Sequence, residues 1–211
     1  MECIESILGR RAVNFFDSTK DIDLEVLKDI INKAATAPSS YNIQPWELVL
    51  VYSKQNKKIL REICNNQPKV EEASADIIVI ANPKAANEHA DDIVNSWLEL
   101  GYITEENKEV VKKAIIDSYG LYDENEIPEK AKLKAVRDSS LFAMNFMITA
   151  RCFGFETHPM EGFNDKKLRD FIKLPDFKII TMVIAIGYRN QDKKLLPRAF
   201  RYSFEDFVNV L

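Results

Sequence analysis

Four arginines bracket the chain, Arg10 and Arg11 near one end and Arg198 and Arg201 near the other. Guanidinium forks stay charged and match phosphate oxygens bidentately, so these are the first candidates for holding an anion. Taken singly, each pair is more often a solvated charge on an apolar stem. Any phosphate bound here must be held by side chains. The six glycines form neither GxGxxG nor GxxxxGKS/T, the loops that cradle phosphates with backbone N–H groups.

Two further segments carry polar groups in a turn-like setting. Ala37-Pro38-Ser39-Ser40-Tyr41-Asn42-Ile43-Gln44-Pro45-Trp46 places two serine hydroxyls, two amides and two prolines in one short stretch. It reads either as a polar turn with a helix stop or as a rigid loop whose donors face a polar ligand. Thr157-His158-Pro159-Met160-Glu161-Gly162-Phe163 is likewise a turn or a ligand-facing loop. The two histidines, His89 and His158, are given structural hydrogen bonds and no catalytic part.

The elements that must position these groups are legible from periodicity. Leu24, Leu27, Ile30, Ile31, Ala34 and Ala35 recur at helical spacing, with Asp23 placed to cap the first turn, and the helix stops before Pro38. Trp46 to Tyr52 is rich in β-branched and aromatic residues and reads as a strand. Asp76 to Ala81 and Ile179 to Gly187 are almost continuously apolar, as expected of central strands covered on both faces. Helices are expected over 54–65, from Asp165, and over 131–153. The last is the most apolar, with Leu133, Val136, Ala143 and Met147 on one side and Leu141, Phe142, Phe146 and Ile148 on others, so burial nearly all round is predicted. Strands mixed with long helices point to an α+β or α/β sandwich. The charged stretch 87–130 is the least regular; Trp97, Tyr102, Tyr119 and Tyr122 within it are expected to pack.

Composition bounds the function. One globular domain over residues 1–211 is expected from 211 residues with 46% hydrophobic content. The formal charge of −4, from 29 basic and 33 acidic side chains, argues against nucleic acid. Cys3, Cys64 and Cys152 form no CxxC pair, so no metal site or disulfide framework is expected, and a cytoplasmic setting fits. Met1-Glu2-Cys3-Ile4-Glu5 is acidic where a signal peptide would be basic. The longest apolar run, Ile179 to Ile186, falls far below the roughly 18 residues of a membrane helix.

Together the segments resemble the nitroreductase family from Ser6 to the C-terminus. Arg10-Arg11-Ala12-Val13-Asn14-Phe15-Phe16 is similar to the family's opening RRSxRxF-type motif. Ala34-Ala35-Thr36-Ala37-Pro38-Ser39-Ser40-Tyr41-Asn42-Ile43-Gln44-Pro45-Trp46 closely matches its AAxxAPSSxNxQPW signature. Asn145 in the long helix, followed by Pro159-Met160-Glu161-Gly162-Phe163, resembles the family's central helix and PxEGF-like flavin loop. The chain departs from the pattern at Ala12, where the family has Ser, and at Asn14, where Arg or Lys is usual. Both changes weaken polar contacts.

The resemblance implies an α+β fold with a mixed central sheet flanked by helices, and a homodimer with a long buried central helix and two FMN molecules at the interface. Arg10, Arg11, Ala12 and Asn14, with Arg198 and Arg201, would hold phosphate and ribityl chain. Pro38, Ser39, Ser40 and Asn42 would come from the partner subunit. Pro159, Met160, Glu161 and Gly162 would lie against one flavin face, the Glu161 backbone N–H near N5, and Asn66, Gln67 or Lys69 would meet the pyrimidine edge. No side chain is expected to act as a catalytic nucleophile. The implied activity is ping-pong hydride transfer from transiently bound NAD(P)H to a nitroaromatic, quinone or similar conjugated acceptor, with 87–130 as a variable excursion shaping the pocket. The rival readings are a flavin store or redox sensor without turnover, and flavin itself as substrate.

Overall fold

The computed structural model describes residues 3–122 and 126–211; Met1, Glu2 and residues 123–125 of the predicted excursion lie outside the described residues. Four strands form one sheet in the order β1-β2-β4-β3: β1 Trp46–Val51, β2 Ala75–Ala81, β3 Glu156–Met160 and β4 Ile179–Gly187. All three pairings are antiparallel. Among the described residues the parallel contribution is an isolated bridge between Ala12 and Thr157 on the β3 edge, so the sheet is mixed through that bridge alone. The two nearly continuous apolar runs, β2 and β4, are the central strands, as their composition requires.

Because side chains alternate across a strand, β2 and β4 serve two cores at once. Ile77, Val79, Ile184 and Ile186 face one layer with Leu27 and Ile30 of α2 (Leu24–Ala34) and Phe142 and Phe146 of α7 (Glu129–Cys152). Ile78, Ile80, Val183 and Ala185 face the other, with Leu60 of α3 (Lys54–Ile63), Val70 of α4 (Pro68–Glu72) and Leu168 of α8 (Asp165–Ile172). Asp23 caps α2 by accepting from the Glu25 N–H at 2.7 Å. A third, satellite cluster joins α5 (Ala85–Glu99), α6 (Lys108–Tyr119) and the start of α7, with Ile43 buried in it.

Two expectations are corrected. In this chain α7 is not buried all round. Ala135, Asp138, Phe142, Phe146 and Ala150 line its buried face, whereas Leu133 (63% exposed), Leu141 (42%) and Met144 (40%) stand out. A helix laid on one face of a sheet covers one stripe, and among the described residues Leu133, Leu141 and Met144 on its other sides stay uncovered. Within the excursion, Tyr119 is fully buried and Trp97 packs against the satellite cluster, but Tyr102 and Tyr122 are exposed. Among the described residues no helix is long and apolar enough to cross a membrane.

Candidate functional site

The first motif runs along the β3 edge. The Val13 N–H donates to the Thr157 carbonyl at 3.1 Å, continuing the bridge at Ala12. That pairing sets Val13 and Asn14 beside His158 and the turn that follows, with Arg10 further back along the same edge. His158 Nδ1 lies 3.0 Å from the Val13 carbonyl, and Lys69 Nζ donates to Asn14 Oδ1 at 3.1 Å. Gln67 Nε2 and Asn65 Nδ2 both donate to the Gly162 carbonyl, at 3.1 and 3.0 Å. Asn65 and Asn66 take left-handed φ values of 55° and 57°, the turn that ends α3 and aims these amides. Pro159 and Met160 close β3, and Glu161 and Gly162 follow it exposed.

The arginines converge from both ends of the chain. Burial lowers the Arg10 pKa, and the neighbouring charges of Arg198 and Arg201 lower it further. Arg198 donates to the Gly9 carbonyl at 2.8 Å and the Arg10 carbonyl at 3.3 Å, and Arg11 donates to the Leu196 carbonyl at 2.8 Å. The tail is thereby tied over the Gly9–Arg11 backbone. Among the described residues none of these four guanidinium groups forms an ion pair. Three mutually repelling cations, unpaired with a carboxylate among the described residues, have the charge to hold an anion, and phosphate matches guanidinium geometry.

The Pro38–Asn42 segment lies elsewhere. It leads into β1, at the opposite edge of the sheet from β3, three inter-strand steps or about 14 Å away at the usual strand spacing. The structure therefore brings Arg10, Arg11, Ala12, Asn14, Gln67, Lys69, Pro159 to Gly162, Arg198 and Arg201 to one region. It does not bring Pro38, Ser39, Ser40 or Asn42 there within one chain. Asn66 follows α3 in the first region, but among the described residues no side-chain hydrogen bond joins it to its neighbours.

The loop is tightly held where it stands. Tyr41, Asn42 and Gln44 have φ values of 54°, 58° and 52°, a left-handed region that bulky residues enter only when their surroundings impose it. Ser39 Oγ accepts from the Gln44 N–H at 2.9 Å, His89 Nδ1 meets the Ile43 carbonyl at 2.7 Å, and the Ser40 N–H donates to Asp138 Oδ2 at 2.9 Å. A cavity of about 450 Å³ opens beside it, lined by Asn42, Gln44, His89, Asp92 and Ser96. Asn65, Asp138 and Arg137 were not among the sequence candidates. Asp138 did carry a signal: a charge on the buried, helically spaced stripe of α7.

Both histidines make the hydrogen bonds expected of structural residues. Burial pushes the His158 pKa down to about 4, the Lys69 charge acts in the same direction, and the Val13 carbonyl opposes them. The unfolded chain, with the ordinary value of 6.5, takes up the proton first as pH falls. The stability linked to this residue is thus complete above about pH 6.5 and is lost as pH falls toward about 4. His158→Asn keeps a donor near the Nδ1 position and cannot titrate. It is expected to flatten the pH dependence of the denaturation midpoint in that window; an unchanged acid limb would contradict the assignment.

Comparison with known proteins bears on this arrangement. The profile of the nitroreductase family matches residues 7–188. A Bacillus subtilis protein with the provisional name NAD(P)H nitroreductase MhqN is 31% identical over 202 residues, covering 96% of this chain and 95% of the relative. The CLA biosynthesis enone reductase of Lactiplantibacillus plantarum is 30% identical over 205 residues, covering 96% and 92%. A crystal structure from Exiguobacterium sibiricum, provisionally described as a nitroreductase in complex with FMN, superposes with a TM-score of 0.86 at 26% identity, covering 99% of this chain and 97% of that one.

Proposed function

The chain belongs to the nitroreductase family, and from that membership we propose that it is an FMN-dependent NAD(P)H oxidoreductase working as a homodimer. The observation that carries the proposal is the cluster of Arg10, Arg198 and Arg201, without a carboxylate partner among the described residues, on the segment that pairs at Ala12 with the β3 edge leading into the Pro159–Gly162 turn. This donor set fits a flavin phosphate. Arg10 is the member with donors to spare, because Arg198 and Arg201 are already spent in part on backbone carbonyls.

When bound, FMN would supply two-electron hydride chemistry at N5, accepting from NAD(P)H and delivering to a conjugated acceptor. The chain's own residues do the positioning. Gln67 and Asn65 fix the Gly162 carbonyl and so set the turn holding the Glu161 N–H. Lys69, whose pKa burial lowers, stands with Gln67 as a donor for a developing negative charge on the pyrimidine edge. Asn14 is engaged with Lys69, so this position orients a cation where the family usually supplies one directly. NAD(P)H would then need no dinucleotide fold of its own, acting as a transient reductant.

The dimer is supported by what a single chain leaves uncovered. Ile4, Ile7 and Leu8 of α1 (Cys3–Gly9), Leu133, Leu141 and Met144 of α7, and Leu196, Phe200, Phe204 and Phe207 of the tail are all exposed. Apolar surface on this scale marks an interaction site. A second copy would also bring its Ser39–Asn42 loop to the Arg10 region that this chain's own loop does not reach. Acceptor breadth follows from stacking, which discriminates weakly among nitroaromatics, quinones and enones.

Steady-state oxidation of NADH or NADPH with a quinone acceptor is expected to give parallel reciprocal plots, on a species that sediments as a dimer. Intersecting plots would contradict a single shared substrate place, and a monomer retaining FMN would contradict the two-chain site. A yellow protein that neither nucleotide reduces would instead be a flavin store or sensor.

A further inference from the structure

The carboxylate of Asp138, buried on α7, gathers donors from three separate elements. Oδ2 accepts from the Ser40 N–H at 2.9 Å and from Tyr119 Oη, at the end of α6, at 3.3 Å. Oδ1 accepts from Arg137 Nε at 2.8 Å, and the same guanidinium donates through Nη2 to Ser40 Oγ at 2.5 Å. Seven residues further along α7, on the same helix face, Asn145 Nδ2 donates to the Ala34 carbonyl at 2.8 Å and reaches Thr36 Oγ1 at 3.5 Å. Residues seven apart lie about 10.5 Å from each other along a helix, so α7 pins the segment from Ala34 to Ser40 at both ends.

A buried carboxylate is costly unless its lone pairs are filled, and here they are. Tyr119 must be the neutral donor, since burial and the Asp138 charge both raise its pKa. One oxygen therefore serves the Ser40 amide and the α6 hydroxyl together, and a shift in either changes the bond available to the other.

The geometry points to Asp138 as a positioning residue for the cofactor site: it fixes the strained Ser39–Asn42 loop and ties it, through Tyr119, to the α5–α6 excursion. The inference rests on the reading above, in which that loop meets the flavin bound mainly by the other subunit. Asp138 touches no cofactor itself. Its effect on flavin must pass through the loop.

The test is a double-variant cycle on FMN dissociation constants, measured by flavin fluorescence with the flavin-stripped full-length protein. Asp138→Asn keeps one acceptor but turns a second donor toward Arg137. Asn42→Asp keeps a side chain tolerant of left-handed φ while replacing a donor with an anion. Each is expected to weaken FMN binding roughly tenfold, as for loss of a hydrogen bond to a charged group. The double variant is expected to fall well short of the product of the two, because both act through one loop.

Asp138→Asn without effect, or a fully multiplicative double variant, would overturn the positioning role while leaving FMN binding by the wild type intact. Wild-type protein that takes up no FMN, or Asn42→Asp with unchanged affinity, would remove the reading beneath it and the proposal with it. Should Asp138→Asn fail to fold, Tyr119→Phe removes a single hydroxyl from the same oxygen. It is expected to weaken FMN binding by roughly threefold under conditions in which the variant remains fully folded; unaltered affinity would overturn the proposal.

Discussion

Arg10→Ala is expected to weaken FMN binding by roughly 10- to 150-fold, the equivalent of losing a charge-assisted hydrogen bond of about 1.5–3 kcal/mol. The sign of its second effect is what makes the variant informative. The Arg10 pKa is lowered by burial, and further by the neighbouring charges of Arg198 and Arg201. Removing one cation from an uncompensated trio relieves repulsion, so the flavin-free protein should be no less stable than the wild type. Affinity falls while apo stability holds or rises. Arg198→Ala should differ, because Arg198 also ties the tail to the Gly9 and Arg10 carbonyls, and both quantities should drop. Titration of FMN, paired with denaturation of the flavin-free proteins, separates the two. Unchanged FMN affinity in Arg10→Ala would place the phosphate elsewhere.

The largest expected loss of stability belongs to Phe142→Ala. This ring is fully buried between α7 and the sheet, stacked on Trp46 with centroids 5.2 Å apart and on Phe146 at 6.4 Å. Truncation removes the transfer free energy of the ring and leaves a cavity that a helix anchored by Asp138 and Asn145 cannot close. Such substitutions cost about 3–5 kcal/mol. Denaturant unfolding should show the midpoint falling with the slope unchanged, and a cost near zero would mean that α7 does not pack on β1 as described. The same variant perturbs the entry to β1 beside Pro38–Asn42, so FMN affinity should fall with it.

The elements that position the site were written in local patterns. Asp23 before the Leu24 periodicity, the continuous apolar runs of β2 and β4, and the Pro38 stop all act over a few residues, and each appears where spacing places it. What was illegible depends on contacts between distant segments. Nothing in the sequence says that Ser40 meets Asp138, 98 positions away, or that Arg198 lies on the Gly9 carbonyl, 189 positions away. Asp138 on an apolar stripe announced a buried charge without naming its partners. The expected all-round burial of α7 failed for a related reason. Leu133, Leu141 and Met144 are apolar yet uncovered among the described residues, and periodicity does not distinguish a face covered by the same chain from one left for another. Tyr102 and Tyr122 show the same limit, since aromatic character alone does not place a residue in a core.

The central claim is that this chain carries a flavin that nicotinamide nucleotides reduce, and anaerobic mixing tests it most directly. Purified protein, or protein reconstituted with FMN, should be yellow and should bleach on addition of NADH or NADPH, with the colour returning when a quinone is admitted. A yellow protein left unbleached by both nucleotides, or a colourless one that fails to take up FMN, would contradict the account.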